Sequence, residues 1–129
     1  MKRVLMIAAL MFPLLVGAQS LTPSKVMLVD ATATGAGPRY ESGIPHVSFQ
    51  AYGATTAATG AATVKLEGSN VNTPGVNDWV VLGTVTLTLG TTSTTDGLTI
   101  YAPWRWLRVN LTAISGTGAT VTAAIRELK

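Results

Sequence analysis

Strict alternation of apolar and polar side chains marks the stretch TVKLEGS, residues 63–69. Val64 and Leu66 fall on one face of an extended chain, because successive side chains of a β-strand point to opposite sides. Lys65 and Glu67 fall on the other face. This two-residue period is typical of a strand with one buried side, so the stretch predicts a strand with Val64 and Leu66 inward.

The same period recurs along the chain, and residues 19–111 contain no long stretch with the 3.6-residue apolar period of an amphipathic helix. Val47, Phe49 and Ala51, for example, share one face of a second segment. Seven strands are predicted in all: Lys25–Ala31, Pro45–Tyr52, Thr63–Ser69, Trp79–Leu89, Leu98–Ala102, Trp104–Thr112 and Ala119–Arg126.

Segments rich in Gly, Thr, Ala, Asn and Pro separate these strands and are typical of turns and loops. Gly83, inside the fourth strand, indicates a bulge or a short break. Many short strands without strand–helix–strand alternation predict an all-β fold. We expect an antiparallel β-sandwich of jelly-roll type, with about seven or eight strands. The turn segments are residues 34–43, 53–61, 70–78, 90–97 and 114–118.

The first 18 residues have the pattern of an export signal. A basic start precedes an apolar run from Val4 to Val16, whose 13 residues span only about 20 Å as a helix, short of the roughly 30 Å hydrocarbon core of a membrane. Small residues then lead to a predicted cleavage after Ala18. We therefore expect a signal-like helix over residues 1–18 and one β-sandwich domain over 19–129. The alternative is an apolar N-terminal arm or short anchor that stays attached.

Composition excludes several classes of site. The chain of 129 residues has no cysteine, which rules out disulfides, thiolate metal sites and cysteine nucleophiles. Its single histidine, His46, rules out a metal site with two histidines from one chain. Nine basic residues stand against six acidic ones, but Lys2 and Arg3 belong to the signal-like segment. The rest is nearly neutral and lacks the basic footprint of a nucleic-acid-binding protein.

No catalytic constellation is visible in the sequence. His46 lies on the polar face of a predicted strand beside Ser48, and the chain has no G-x-S-x-G elbow. The six carboxylates lie in or beside turns or on polar strand faces, without an apolar pocket that would raise the pKa of one of a catalytic pair. We therefore expect a protein that is not an enzyme and needs no cofactor.

One predicted loop, residues 69–78, is rich in side-chain oxygens. Calcium takes such oxygens as ligands, but its sites usually contain more than one carboxylate. Asn and Asp also form turns without any ion. We expect no metal ion here and keep four weak candidates, Asn70, Asn72, Asn77 and Asp78.

Aromatic residues and arginine cluster near residue 104. In a strand, Trp104, Trp106 and Arg108 share one face, opposite an aliphatic face that is the better candidate for the core. Exposed tryptophans beside an arginine suit sugar stacking or a protein partner. Alternatively, Pro103 delays the start of the strand and the tryptophans cover an edge of the core. The predicted binding residues are Tyr101, Trp104, Trp106 and Arg108.

Two segments carry a resemblance to known families. VKLEGSN at residues 64–70 followed by DWVVL at 78–82 looks like the strand, Gly-Ser turn, Trp, strand unit of discoidin-like and carbohydrate-binding jelly-roll sandwiches. APWRWLRV at 102–109 resembles a later strand of those folds. Together with TAISGTGATV at 112–121, it is also similar to small β-sandwich proteins encoded in tailed-phage and prophage structural gene clusters.

The resemblance implies a structural or interaction protein. We expect a phage or prophage virion-associated β-sandwich that decorates or cements a capsid or serves as a tail accessory. The alternative is a secreted bacterial module that binds carbohydrate or a cell surface. The expected partners are protein, through self-association or a virion shell, or a glycan. Neither nucleic acid nor, once the leader is cleaved, a membrane is expected, and the location is the virion, the periplasm or the extracellular space.

Overall fold

The computed structural model describes residues 24–129, so the predicted signal-like helix over residues 1–18 lies outside the described residues. Within the described range the chain forms nine β-strands and no helix. The strands are β1 (Lys25–Ala31), β2 (Gly35–Ala36), β3 (Tyr40–Glu41), β4 (His46–Ala54), β5 (Ala57–Ser69), β6 (Val80–Leu89), β7 (Thr94–Tyr101), β8 (Trp106–Thr117) and β9 (Thr120–Glu127).

The strands form two antiparallel sheets. The first sheet has the order β1-β9-β4-β7, and the second has the order β2-β8-β5-β6, with β3 also pairing with β8. The chain passes from one sheet to the other between β1 and β2, β3 and β4, β4 and β5, β6 and β7, β7 and β8, and β8 and β9. The predicted all-β, antiparallel, two-layer architecture is therefore confirmed.

The core lies between the two sheets and is built from the predicted inward faces. Val47, Phe49 and Ala51 of β4 are fully buried, as are Val64 and Leu66 of β5. Burying a Val, Leu or Phe side chain stabilises a fold by about 1.5–3 kcal/mol. The other buried apolar residues are Met27, Ala62, Val85, Leu87, Leu89, Ala102, Leu107, Val109, Leu111, Ala119, Val121, Ala123 and Ile125.

The structure has nine strands where the sequence predicted seven or eight, because β2 and β3 both lie within the predicted turn 34–43. Four other strands extend into segments predicted as turns, and β4 is one of them because it continues to Ala54. β5 begins at Ala57 and β7 begins at Thr94, while β8 continues to Thr117. These Thr-, Gly- and Ala-rich ends carry little apolar alternation, but neighbouring strands satisfy their backbone groups: Ala57 pairs with Thr117, and Thr94 pairs with Gly53. Strand pairing therefore fixes the ends, where side-chain periodicity gives no signal.

The irregularity predicted at Gly83 is present as a bulge. Leu66 pairs with Gly83, whereas the next residue of β5, Glu67, pairs with Val81, so Leu82 is an extra residue in β6. Such an insertion bends the strand. A side chain at Gly83 would also meet Leu98 of β7 at 2.8 Å. The glycine thus allows β6 to approach the first sheet closely.

Candidate binding surface

The two faces of β8 differ as expected from its sequence. Leu107, Val109 and Leu111 are buried in the core. Trp106 and Arg108 alternate with them and lie half-buried on the outer face of the second sheet. The aliphatic face of this strand is therefore the core face, and the outer face carries two of the four predicted binding residues.

Trp104 does not share that outer face. β8 begins only at Trp106, and Trp104 lies in the preceding segment, half-buried and packed against the core. Its ring fills space left by Gly68 of β5. The sequence allowed two arrangements, with the tryptophans exposed or covering an edge of the core. Trp104 has the second arrangement, because the regular strand begins only after Arg105.

The contact between Gly68 and Trp104 predicts that a single methyl group added at Gly68 destabilises the fold. An added Cβ at Gly68 would lie 2.7 Å from Trp104 Cγ and 2.9 Å from Leu82 Cδ1. We expect Gly68→Ala to lower the free energy of unfolding by about 1–3 kcal/mol, because overpacking forces these side chains to move. Urea denaturation measures the loss. Gly43→Ala is the matched control, since nothing lies within 4 Å of its added Cβ, and equal losses in the two variants would contradict the packing argument.

Three arginines stack on two tryptophans on the outer side of the second sheet. The guanidinium carbons of Arg39 and Arg105 lie 4.7 and 5.4 Å from the centre of the Trp106 ring, and that of Arg108 lies 4.2 Å from Trp79. Each such contact contributes about 0.5–1 kcal/mol at an exposed site. We call this surface, formed by Arg39, Trp79, Arg105, Trp106 and Arg108, the arginine–tryptophan face.

The segment before β3 places Arg39 on this face. β2 and β3 both pair with β8, and the amide of Gly37 between them donates a 2.8 Å hydrogen bond to Val109 O. This short connection runs along β8 and holds Arg39 over Trp106. Sequence analysis did not single out Arg39, since it lies in a predicted turn with no periodic pattern around it.

A buried carboxylate anchors the centre of the face. Glu67 is only 7% exposed, although the sequence places it on the polar face of its strand. Its carboxylate accepts hydrogen bonds from Arg108 Nε at 2.7 Å and from Asn110 Nδ2 at 3.1 Å. Glu67 does lie on the outward face of β5, as predicted, but the neighbouring β8 side chains cover it. The ion pair fixes Arg108 in position against Trp79.

The oxygen-rich loop contributes contacts to the same region. Arg105 N donates to Asn70 Oδ1 at 2.9 Å, and the Arg105 side chain donates to Asn72 Oδ1. Asp78 Oδ2 accepts from the amide of Gly75 at 2.7 Å, while Asn77 is exposed. The side-chain oxygens of Asn70, Asn72 and Asp78 thus accept hydrogen bonds from protein donors and position the loop. Within residues 24–129 no three His, Cys, Asp or Glu side chains are grouped as a metal ion would require.

An open groove of about 280 Å³ runs along the arginine–tryptophan face. It is lined by Gly37, Arg39, residues 74–76, Trp79 and Arg108. Its walls therefore combine guanidinium groups with an indole and the apolar surfaces of a proline and a valine. The size is near the lower end for small-ligand sites, which usually occupy about 300–1,000 Å³.

Tyr101 lies apart from this groove. It is 65% exposed at the end of β7, and its ring contacts the edge of His46 with 5.2 Å between ring centres. Tyr101 and Trp104 line a separate depression of about 430 Å³ beside residues 42–45. The four residues predicted as one binding segment are thus divided between two places, because Trp104 turns towards the core before β8 begins.

Tyr40 and Glu127 form a further polar cluster that sequence analysis did not identify. Lys25 Nζ also lies over the ring of Tyr40, 3.7 Å from the ring centre. Partial burial disfavours the charged form of the Glu127 carboxylate, but its hydrogen bonds outweigh this and lower its pKa. Burial and the nearby carboxylate raise the pKa of the Tyr40 hydroxyl. The donors to Glu127 are the Tyr40 hydroxyl, Ser42 Oγ (3.2 Å) and the amides of Gly43 (2.8 Å) and Ile44 (3.2 Å).

This cluster predicts a loss of stability in acid. Because folding lowers the pKa of Glu127, its contribution is present above the ordinary value of 4.5 and is lost as the pH falls through the lower value of the folded protein. We expect Glu127→Gln to flatten the decline of the unfolding free energy below pH 4.5, measured by urea denaturation at several pH values. Asp96→Asn, at an exposed position of β7, is the control. If the unfolding free energy of Glu127→Gln declines below pH 4.5 as steeply as that of the unsubstituted protein, the prediction is contradicted.

In comparisons with known proteins, no family model, no curated protein and no solved structure matches the chain. Residues 24–129 contain no helix with the length and apolar character needed to cross a membrane.

Proposed function

We propose that this chain is a non-enzymatic interaction protein whose main contact surface is the arginine–tryptophan face. The observation that carries the proposal is the stacking of three arginines on two tryptophans at one outer surface of the sandwich. Tryptophan and arginine are enriched at the energetic centres of protein interfaces, because they combine a large apolar area with directed hydrogen bonds.

Exposed valines extend this surface beyond the aromatic rings. Val76, which lines the groove, and Val81 are 84% and 48% exposed. Val81 also lies opposite Glu67 in the pairing of β5 with β6, directly beside the buried ion pair. Apolar side chains grouped around aromatic and arginine anchors are typical of a surface that a partner covers.

The partner that we propose first is a virion. If β2 and β3 are counted as one interrupted strand, eight strands form two sheets of four, β1-β9-β4-β7 and β2/β3-β8-β5-β6, and this order supports a fold of jelly-roll type. Jelly rolls recur in viral capsid domains, although a fold alone does not define a function. The strand order therefore supports a capsid-decorating, cementing or tail accessory protein of a phage or prophage.

Trp106→Ala tests the contact surface. We expect it to weaken association with virions by about 2 kcal/mol or more, roughly 30-fold, because an anchor is lost from the centre of the face. Cosedimentation of the purified protein with virions from its native source measures the effect, and circular dichroism checks the fold. Tyr52→Ala, an exposed aromatic on the opposite sheet, is the matched control. Equal binding by both variants would exclude this face as the contact surface.

A secreted carbohydrate-binding module is the second candidate function. The observation that favours it is the groove, in which Trp79 offers an aromatic wall beside Arg39 and Arg108. Aromatic surfaces bind the apolar faces of sugars, while polar groups fix their orientation. Under this function residues 1–18 would direct export and be removed after Ala18. Loss of binding to one sugar in Trp79→Ala, whose indole lines the groove, with no association with virions, would favour this function.

A further inference from the structure

Unused hydrogen-bond donors line the groove of the arginine–tryptophan face. A guanidinium has five N–H donors. Arg108 uses its Nε–H on Glu67, and no other hydrogen bond of its guanidinium is formed within the described residues. Arg39 forms neither an ion pair nor a side-chain hydrogen bond with any residue of the range 24–129 and is held by its stacking on Trp106. The groove thus presents a set of charged donors that lack acceptors among the residues that the structure describes.

The charge in the groove favours an anion. Arg39 and Arg108 both line it, and the carboxylate of Glu67 compensates only one of these two positive charges. The Arg105 charge nearby is paired with Glu41, with 3.4 Å between Nε and Oε1. A positive charge therefore remains at Arg39. Guanidinium groups bind carboxylates through paired N–H···O hydrogen bonds, which combine charge with a defined geometry.

The walls of the groove favour a compact ring over a peptide strand. Trp79, Pro74 and Val76 provide apolar contact area. Two backbone donors at the groove are already used, since the amide of Gly37 binds Val109 O and the amide of Gly75 binds Asp78. A peptide added as a β-strand needs free main-chain groups at a sheet edge. A ring that stacks on an indole and carries its own acceptors has no such requirement.

We propose that this groove binds an acidic sugar residue, with the carboxylate on Arg39 and Arg108 and the ring against Trp79. This inference rests on the glycan-binding candidate function and specifies its substrate class. Arg39 is the residue that distinguishes an acidic from a neutral sugar, because its charge in the groove is paired with no carboxylate of residues 24–129. Arg108 is a second donor that Glu67 holds in position.

Calorimetric titration with digalacturonate tests the proposal, with its methyl ester as the matched neutral probe. We expect digalacturonate to bind at least tenfold more tightly than the ester and to weaken as salt is added, because the contact is between charges near the surface. Sodium acetate and a Glu-Glu dipeptide are titrated in parallel. Affinity for either equal to that for digalacturonate would overturn the proposal, since it would show a simple anion site or a site for acidic peptides.

Two variants locate the site. We expect Arg39→Gln to weaken digalacturonate binding at least tenfold while preserving the fold, since Arg39 is exposed and forms no hydrogen bond through its side chain in the described structure. Lys65→Gln removes the same charge from the same sheet outside the groove and should change affinity less than twofold. Equal effects of the two variants would overturn the assignment to this groove.

The probes separate the failure of this inference from the failure of the candidate function. If the ester binds as well as the acid, only the preference for an acidic sugar fails. If no saccharide binds, the glycan-binding function itself is excluded.

Discussion

Replacing Phe49 by alanine is expected to lower the free energy of unfolding by about 4 kcal/mol, the largest effect among the substitutions considered. Phe49 is fully buried on the inner face of β4, between Leu98 of β7 and Ile125 of β9 in the pairing of the first sheet. Its removal loses apolar burial and leaves a cavity that rigid neighbouring strands cannot fill. Urea denaturation of the purified domain measures the change.

Tyr52→Ala is the matched control for this prediction. Tyr52 is another large aromatic on the same strand, but it lies on the outer face and is 44% exposed. We expect a loss below about 1 kcal/mol, because a surface position creates no cavity. Comparable losses in the two variants would contradict the assignment of the core between the sheets. A changed slope of the denaturation curve would instead indicate an altered unfolded or native ensemble.

Glu67→Ala is expected to lower the free energy of unfolding by about 3 kcal/mol, because removal of one member of a largely buried ion pair leaves the other charge without its partner. The side chains of Glu67 and Arg108 are only 9% and 18% exposed. Asn110 also loses its acceptor. Arg108 is then free to leave Trp79, so the tryptophan fluorescence of the folded protein should change as well. Denaturation with fluorescence detection measures both effects.

Glu41→Ala provides the comparison with an exposed pair. Glu41 and Arg105 are 61% and 47% exposed and lie 3.4 Å apart. Water and salt screen such a pair, so we expect a loss of less than about 1 kcal/mol. Equal losses of unfolding free energy in Glu67→Ala and Glu41→Ala would contradict this prediction. They would show that water solvates the charge of Arg108 when Glu67 is removed, so that the carboxylate does not anchor the arginine–tryptophan face.

The arginine–tryptophan face is assembled from segments that are distant in the chain. Arg39 comes from the connection between β2 and β3, Trp79 from the end of a loop, and Trp106 and Arg108 from β8. The pairing of β8 with β2, β3 and β5 brings these segments together. Protein or glycan contact at this face would therefore depend on the correct register of the second sheet.

Alternation in the sequence determined the inner faces of the strands. Val47 with Phe49 in β4, and Leu107 with Val109 in β8, follow a two-residue period and are buried as predicted. The same period placed Arg108 on the opposite side of β8. This information is local, because the pleat of a strand alone decides which side chains share a face.

Tertiary structure alone decided the strand ends, the burial of Glu67 and the place of Trp104 and Arg39. Glu67 is covered by side chains of β8, and Trp104 fills space beside Gly68. Arg39 reaches Trp106 through strand pairings that carry no apolar pattern. The sequence by itself determined an all-β chain with a buried aliphatic face on each long strand. Which charged and aromatic side chains meet on the outer surface depended on strand register, because register is set by contacts between segments far apart in the chain.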